Sequence, residues 1–179
     1  MFFDLIRKRR SKRKFLQKPV DMESIDRLVE AALRSPSSRG FNPWSFIVVD
    51  DPEILEKISS SKPHGASFLK DAPLGIAVLA DTGQSDVWVE DTSIASIFIQ
   101  LAAESLGLGS CWIQIRRRNR SEHQSASDYI KKVLNIPENM EVESVIAVGH
   151  PAESKPGHDA EDLQMNKVFY NQYEQPYNL

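Results

Sequence analysis

The sequence has a single cysteine, Cys111, so it holds neither an internal disulfide nor a metal site built from thiolates. Its four histidines, His64, His123, His150 and His158, show no ligand spacing, which argues against a bound metal. No apolar run approaches the roughly 18 residues a membrane-spanning helix needs. The start, Phe2-Phe3-Asp4-Leu5-Ile6, becomes basic only after its apolar residues, the reverse of an export signal. A cytosolic location is the expectation. No serine–histidine–acid arrangement is recognisable and no general base stands out. That pattern suits a protein whose chemistry is carried by a bound cofactor, with the chain binding and orienting it.

What is present is an ordinary globular balance, 41% hydrophobic and 26% charged, over 179 residues, which fits one domain spanning 1–179 or one subunit of an intertwined oligomer. The net charge is −3, yet residues 7–14 read Arg-Lys-Arg-Arg-Ser-Lys-Arg-Lys, seven of eight basic. Removing those seven charges from −3 leaves −10 on the rest of the chain. A basic segment on an acidic body points to a local anion site and away from a surface that coats a polyanion.

Periodicity places the main elements. Ile25, Leu28, Val29, Ala32 and Leu33 share one face of a helix over 22–34, which Asp21 caps. Ser45-Phe46-Ile47-Val48-Val49 predicts a strand, and Asp51-Pro52 opens a further helix. Residues 74–80 are apolar on both faces and predict a buried central strand. The long helix over 87–106 is apolar around most of its girth, so a second subunit is its natural cover. A strand over 110–115, a helix over 121–134 and a strand over 142–148 follow. The tail 159–179 carries Val168, Phe169, Tyr170, Tyr173 and Tyr177, suited to docking on a partner. Strands alternating with helices mean an α/β or α+β sandwich; strand order is not given.

Three segments are candidates for chemistry. In the basic run, Arg9, Ser11 and Arg13 alternate, so an extended chain turns two guanidiniums and a hydroxyl to one side, as a phosphate requires. Phe15 and residues 2–6 are expected to anchor it to the core. A solvated charged face is the competing reading. Ser35-Pro36-Ser37-Ser38-Arg39-Gly40-Phe41-Asn42-Pro43-Trp44 is a loop of turn formers whose small residues allow backbone to approach a flat ligand, with Trp44 read as core. Gly107-Leu108-Gly109-Ser110-Cys111-Trp112-Ile113-Gln114 leaves a helix to enter a strand, the reverse of a dinucleotide fingerprint. Asp91 is read as a helix-start residue favoured by the dipole, and Cys111 as an inert core thiol. For Arg116-Arg117-Arg118-Asn119-Arg120 a solvated loop is favoured over a nucleotide-phosphate site.

These segments together resemble the nitroreductase family of flavoproteins. Arg9-Arg10-Ser11-Lys12-Arg13-Lys14-Phe15 is similar to its RRSxRxF signature, and Ser35 through Trp44 to its APSxxNxQPW loop. Trp88 through Ala95 resembles the start of its central helix, Leu106 through Trp112 its GLGSCW segment, and Val148 through Lys155 its GYPxExK stretch. The order and spacing agree along essentially the whole chain. The loop departs from the pattern: Gly40 stands where the family usually has asparagine and Asn42 where it has glutamine, as in a short-chain subset.

The resemblance implies an α+β fold with a mainly antiparallel sheet flanked by helices, and an intertwined homodimer with FMN at the interface. It implies that Arg9, Arg10, Ser11, Arg13 and Lys155 hold the FMN phosphate, ribityl chain and part of the ring, with Lys167 a less secure second lysine. It implies that Pro36, Ser37, Ser38 and Gly40 reach the flavin from the other subunit, and that Trp112, Ile113 and Gln114 approach the ring with their backbone. The implied activity is ping-pong transfer of electrons from NADH or NADPH through FMN to a small acceptor, a nitroaromatic or quinone. Two other readings remain: a flavin-binding or sensing protein with little turnover, motivated by the missing asparagine, and a nucleic-acid module using residues 7–14, which the acidic remainder opposes.

Overall fold

The computed structural model describes residues 2–177. Its centre is a four-stranded sheet in the order β1-β2-β6-β3, formed by Trp44–Val49 (β1), Leu74–Asp81 (β2), Met140–Gly149 (β6) and Gly109–Gln114 (β3). Every pairing is antiparallel. β2 and β6 are the inner strands and both are buried over most of their length, as the continuous apolar run of β2 demands; β6 carries Glu141, Glu143 and Ser144 in its first half. β3 closes one edge, so one row of its backbone groups faces away from the sheet.

One face of the sheet packs under Pro52–Ser59 (α3) and Ala126–Leu134 (α5), with Leu55, Ile58, Leu69, Ile113, Ile130 and Val145 in the core between them. The other packs under Met22–Leu33 (α2) and Trp88–Ser105 (α4), around Leu28, Leu74, Ile76, Ile99 and Ile146. Capping follows the sequence: Asp21 accepts from the Ser24 N–H at 2.8 Å, Asp51 from Glu53 and Ile54, and Ser125 from Asp128.

Two expectations change, and one feature had none. Residues 2–6 do not anchor the basic segment in the core: they belong to a helix, Phe2–Lys8 (α1), which has no buried residue, and Phe2 and Phe3 are 59% and 65% exposed. Arg7 and Lys8 close its last turn, where the helix dipole favours cations. The helix expected over 121–134 begins only at Ala126, because a small hairpin, Asn119–Ser121 (β4) with Gln124–Ser125 (β5), precedes it. β6 carries a bulge opposite the Val78/Leu79 step: Val78 pairs with Ser144 and Leu79 with Val142, leaving Glu143 unpaired.

As expected, α4 is only partly covered: Ile94, Ile97 and Phe98 are about one-third exposed. The tail through Tyr177 lies exposed, shaped by two 3-10 turns and a Phe169–Pro176 bridge; its last two residues lie outside the described ones. Among the described residues no helix is long and apolar enough to cross a membrane, and no cluster of metal-binding side chains forms.

Candidate functional site

The segment after α1 runs along the start of β3. Ser11 forms a parallel bridge with Ser110, and the Lys12 N–H donates to the Ser110 carbonyl at 2.9 Å. Gly109 makes this approach possible, since a Cβ there would lie 2.9 Å from the Lys12 Cβ and Cγ atoms. The alternation read from the sequence is present. Lys12 is buried and donates to the Lys155 carbonyl, whereas Arg9 and Ser11 are half-buried and Arg13 is exposed, with the Ser11 hydroxyl toward the Cys111 thiol. Burial pushes that thiol up; the Arg13, Lys155 and Arg9 charges and a Ser11 hydrogen bond pull the other way. The guanidinium of Arg13 also sits 5.9 Å over the Phe68 ring.

A strap over 150–157 fastens this corner from outside. The Leu16 N–H donates to the His150 carbonyl at 2.8 Å and the Ala152 N–H to the Lys14 carbonyl at 2.9 Å. The Arg13 N–H donates to Glu153 Oε1 at 2.6 Å, which holds the Glu153 carboxyl down at about 2, with Lys155 helping and burial opposing. Lys155 Nζ pairs with Glu153 at 2.9 Å and donates to the Ser11 carbonyl at 3.0 Å, so this lysine joins the corner. Arg10 turns away, its guanidinium donating to the Pro156 carbonyl. Lys167 lies exposed in the tail, with no hydrogen bond to residues 9–13 among the described residues.

The open edge of β3 continues the corner. The Ser110 carbonyl takes the Lys12 N–H and the Gln114 carbonyl takes Lys62 Nζ at 2.8 Å, so the even positions face outward and the Trp112 backbone lies between them on the same edge. Ile113 points into the core instead. The Trp112 indole donates to Gln114 Oε1 at 2.9 Å, and Gln114 Nε2 donates to Glu143 Oε1 at 3.2 Å. Lys62 had no sequence signal, being one lysine in a serine-rich turn. Burial lowers its pKa first, and Arg118 adds to the effect. The 116–120 run is therefore divided. Arg116 lies 3.9 Å from Glu143 and over Trp88, Arg120 stacks 3.8 Å over Tyr129, and Arg118 is beside Lys62.

The loop at 35–42 is built separately. Ser37 Oγ donates to Asn42 Oδ1 at 2.7 Å and accepts from the Asn42 N–H at 2.9 Å, closing the neck. Between them Arg39, Gly40 and then Asn42 itself take positive φ, 53°, 70° and 48°. Asparagine and glycine tolerate that region, which gives Gly40 and Asn42 a structural reason to be there. A Cβ on Gly40 would meet nothing within 4 Å. Pro36 is exposed, and Ser38 donates its N–H to Asp91. Asp91 is thus more than a helix-start residue: it is buried and ties the loop to α4. Trp44 is half-buried against Phe46. No hydrogen bond or ion pair among the described residues joins this loop to the 9–13 corner within one chain.

The 9–13 segment with Arg9, Ser11 and Arg13, Lys155 bonded to Ser11, and Lys62 bonded to Gln114 thus line the start and open edge of β3, with the carboxylate Glu153 paired to Lys155. The excess of positive charge fits a phosphate, and the open strand edge fits the polar rim of a flat ring. Together with the α+β fold, this defines a protein suited to hold a phosphorylated cofactor with a flat ring. The model described as the nitroreductase family matches residues 6–62 and 60–150, and the chain belongs to that family. A solved structure of an FMN-dependent nitroreductase from Clostridium difficile R20291 superposes with a TM-score of 0.94 at 44% identity, covering 96% of this chain and 99% of that one. A protein of Methanothermobacter thermautotrophicus, provisionally named NADH dehydrogenase/NAD(P)H nitroreductase, is 41% identical over 154 residues, 84% of this chain and 78% of its own length. An FMN reductase [NAD(P)H] of Bacillus subtilis is 28% identical over 189 residues, 92% of this chain and 73% of its own.

Proposed function

We propose that residues 1–179 form one FMN-binding domain, that two copies associate with FMN at their interface, and that the enzyme passes electrons from NADH or NADPH to a small acceptor such as a nitroaromatic or a quinone. The observation that carries this reading is the gathering of Arg9, Ser11, Arg13, Lys155 and Lys62 beside the open edge of β3. The names of relatives agree with it: one combines FMN with NAD(P)H and another is an FMN-dependent nitroreductase.

When bound, FMN would supply the redox chemistry, linking NADH or NADPH to the acceptor in alternate, ping-pong half-reactions. The chain's part is to bind and orient. Arg9, Arg13 and Lys155 offer charged donors to the phosphate, the two arginines as planar forks. Trp112 and Gln114 present backbone groups at the strand edge, Ile113 anchors that strand in the core, and Lys62 adds a cation beside Gln114. Arg10 contributes by holding the strap at Pro156. Pro36, Ser37, Ser38 and Gly40 belong to the second subunit's share of the site. Since the Ser37 hydroxyl, the Ser38 N–H and the Ser37 and Ser38 carbonyls are engaged within the subunit, the Ser38 hydroxyl and the Pro36 and Gly40 carbonyls are what they offer.

The test is the visible absorption spectrum of the purified protein, followed by anaerobic addition of NADH and then NADPH. Flavin absorbance that bleaches with either donor is the expected result. A protein that takes up no FMN overturns the reading, and one that binds FMN but is reduced by neither donor removes the proposed electron source.

A further inference from the structure

The loop over 36–42 poses a physical question: what keeps it in shape? Arg39 is a non-glycine residue in the left-handed region, a costly conformation that persists only where the surroundings determine it. The Ser37–Asn42 closure holds the neck but leaves the 3-10 turn Ser38–Gly40 free at its start, because Ser37 makes no side-chain cap. The orphan N–H of Ser38 is taken instead by Asp91 Oδ1 at 2.8 Å, from an element 53 residues away. The other oxygen of Asp91 accepts from Ser85 Oγ at 3.1 Å, and that hydroxyl in turn receives the Val87 N–H at 3.3 Å. Asp91 is 2% exposed, so a carboxylate has been taken out of water to meet these groups. Its place in the first turn of α4 offsets part of that cost through the helix dipole. Three segments, the 36–42 loop, the 82–87 turn and α4, therefore converge on one side chain.

From this the geometry points to Asp91 as the positioning residue of the cofactor site. It fixes the 36–42 loop to the helix that carries Ile94, Ile97 and Phe98, the exposed residues suited to a second subunit. The loop is thereby set in register with the proposed interface, and subunit association presents it to the partner's FMN already formed. This rests on the functional reading above, since it is the FMN seat that the loop completes.

The test compares Asp91→Ala, Asp91→Asn and Ser85→Ala in the full chain. Asparagine keeps an acceptor for the Ser38 N–H and a group for Ser85; alanine keeps neither. Expected for Asp91→Ala is FMN binding weakened roughly 10- to 100-fold, the worth of one charge-assisted hydrogen bond. Expected for Asp91→Asn is binding within about threefold of the parent, a change under one-half of a tenfold energy step. A second readout needs no FMN: the rate of tryptic cleavage after Arg39 in the apo-protein, followed by mass spectrometry. It rises in Asp91→Ala and stays at the parent rate in Asp91→Asn. Folded Asp91→Ala with parent FMN affinity and parent cleavage at Arg39 overturns the proposal, as does Asp91→Asn failing as badly as alanine. If alanine prevents folding, Ser85→Ala, which removes one of the two partners, carries the same two readouts, with a smaller loss of FMN affinity and faster cleavage at Arg39 expected. A parent protein that binds no FMN sinks the functional reading instead, and the cleavage measurement still decides the role of Asp91.

Discussion

Two regions of this molecule are finished to very different degrees. The corner made by residues 9–16, the start of β3 and the 150–157 strap is closed within one chain: carbonyls, N–H groups and charges there find each other at hydrogen-bond distances. The surfaces of α1, α4 and the tail are left open, with Phe2 and Phe3 more than half exposed and Ile94, Ile97 and Phe98 about one-third. The polar region satisfies its own groups, whereas the apolar region leaves large side chains to water, a poor neighbour for them. The proposed site shared between subunits puts the two regions to separate uses, one for a ligand and one for a second copy.

The comparison breaks most readily on α4. Ile97→Glu places a charge where the second copy is expected, and a buried unpaired charge costs about 3–5 kcal/mol. The dimer dissociation constant should rise by roughly two to four orders of magnitude, read by sedimentation, while the monomer keeps its helical circular dichroism. An unchanged sedimentation profile would place the interface elsewhere. Next comes Arg13→Ala in the corner. Losing one charged donor should weaken FMN binding by about 10- to 100-fold, measured by quenching of flavin fluorescence, with the oligomeric state intact. If both variants lose FMN and dimer together, the two regions are not separable in the way the structure suggests.

Glu153 sharpens the polar side. Its folded pKa of about 2 lies below its ordinary 4.5, so it contributes stability above 4.5 that is lost as pH falls toward 2. Glu153→Gln should melt about 3–10 °C lower at pH 7, from the loss of a charge-assisted hydrogen bond. The gap should close between pH 5 and pH 2. A gap that persists at pH 2 would show that packing of the strap, not the carboxylate, holds the corner.

What was legible in the sequence follows the same division. The alternation of Arg9, Ser11 and Arg13, the two-faced apolar run of β2 and the uncovered girth of α4 are local patterns, and each appears in the structure. The 2–8 segment became a helix despite its apolar start, since a basic end on a short helix is favoured by the dipole and its first residues find no core to enter. Lys62 and Asp91 were missed as site residues for one reason: their roles depend on contacts with residues 52 and 53 positions away, Gln114 and Ser38. No periodicity carries that information. Lys155 was reached through the family resemblance, and the ion pair to Glu153 with the donation to Ser11 gives the physical account of why it belongs there.

Glu143 lies at the seam between the two regions and was invisible for a further reason, because a bulge sets its direction. The register shift leaves it without a cross-strand partner, and its backbone carbonyl accepts from both Ile115 and Arg116, turning the chain out of β3. Its carboxyl, 3% exposed, receives Gln114 Nε2, while Oε2 is buried without a hydrogen bond and has only Arg116 Nε at 3.9 Å. Burial raises its pKa; Gln114 and Arg116 oppose that, and Glu90 on α4 adds to it. The sign is therefore opposite to that of Glu153. A raised carboxyl contributes stability fully below its ordinary 4.5 and loses it as pH rises through the folded value. Glu143→Gln keeps an acceptor for Gln114 and removes the charge, and Arg116, 29% exposed in its side chain, has water within reach to compensate. The variant should thus melt higher than the parent at pH 8, by about 2–4 °C for each kcal/mol recovered, and the difference should vanish below pH 4.5. Thermal melts of both variants across pH 3–8 read the two carboxylates against each other. If Glu143→Gln is the less stable at pH 8, the Arg116 pair outweighs the burial, and the seam is held by charge as the corner is.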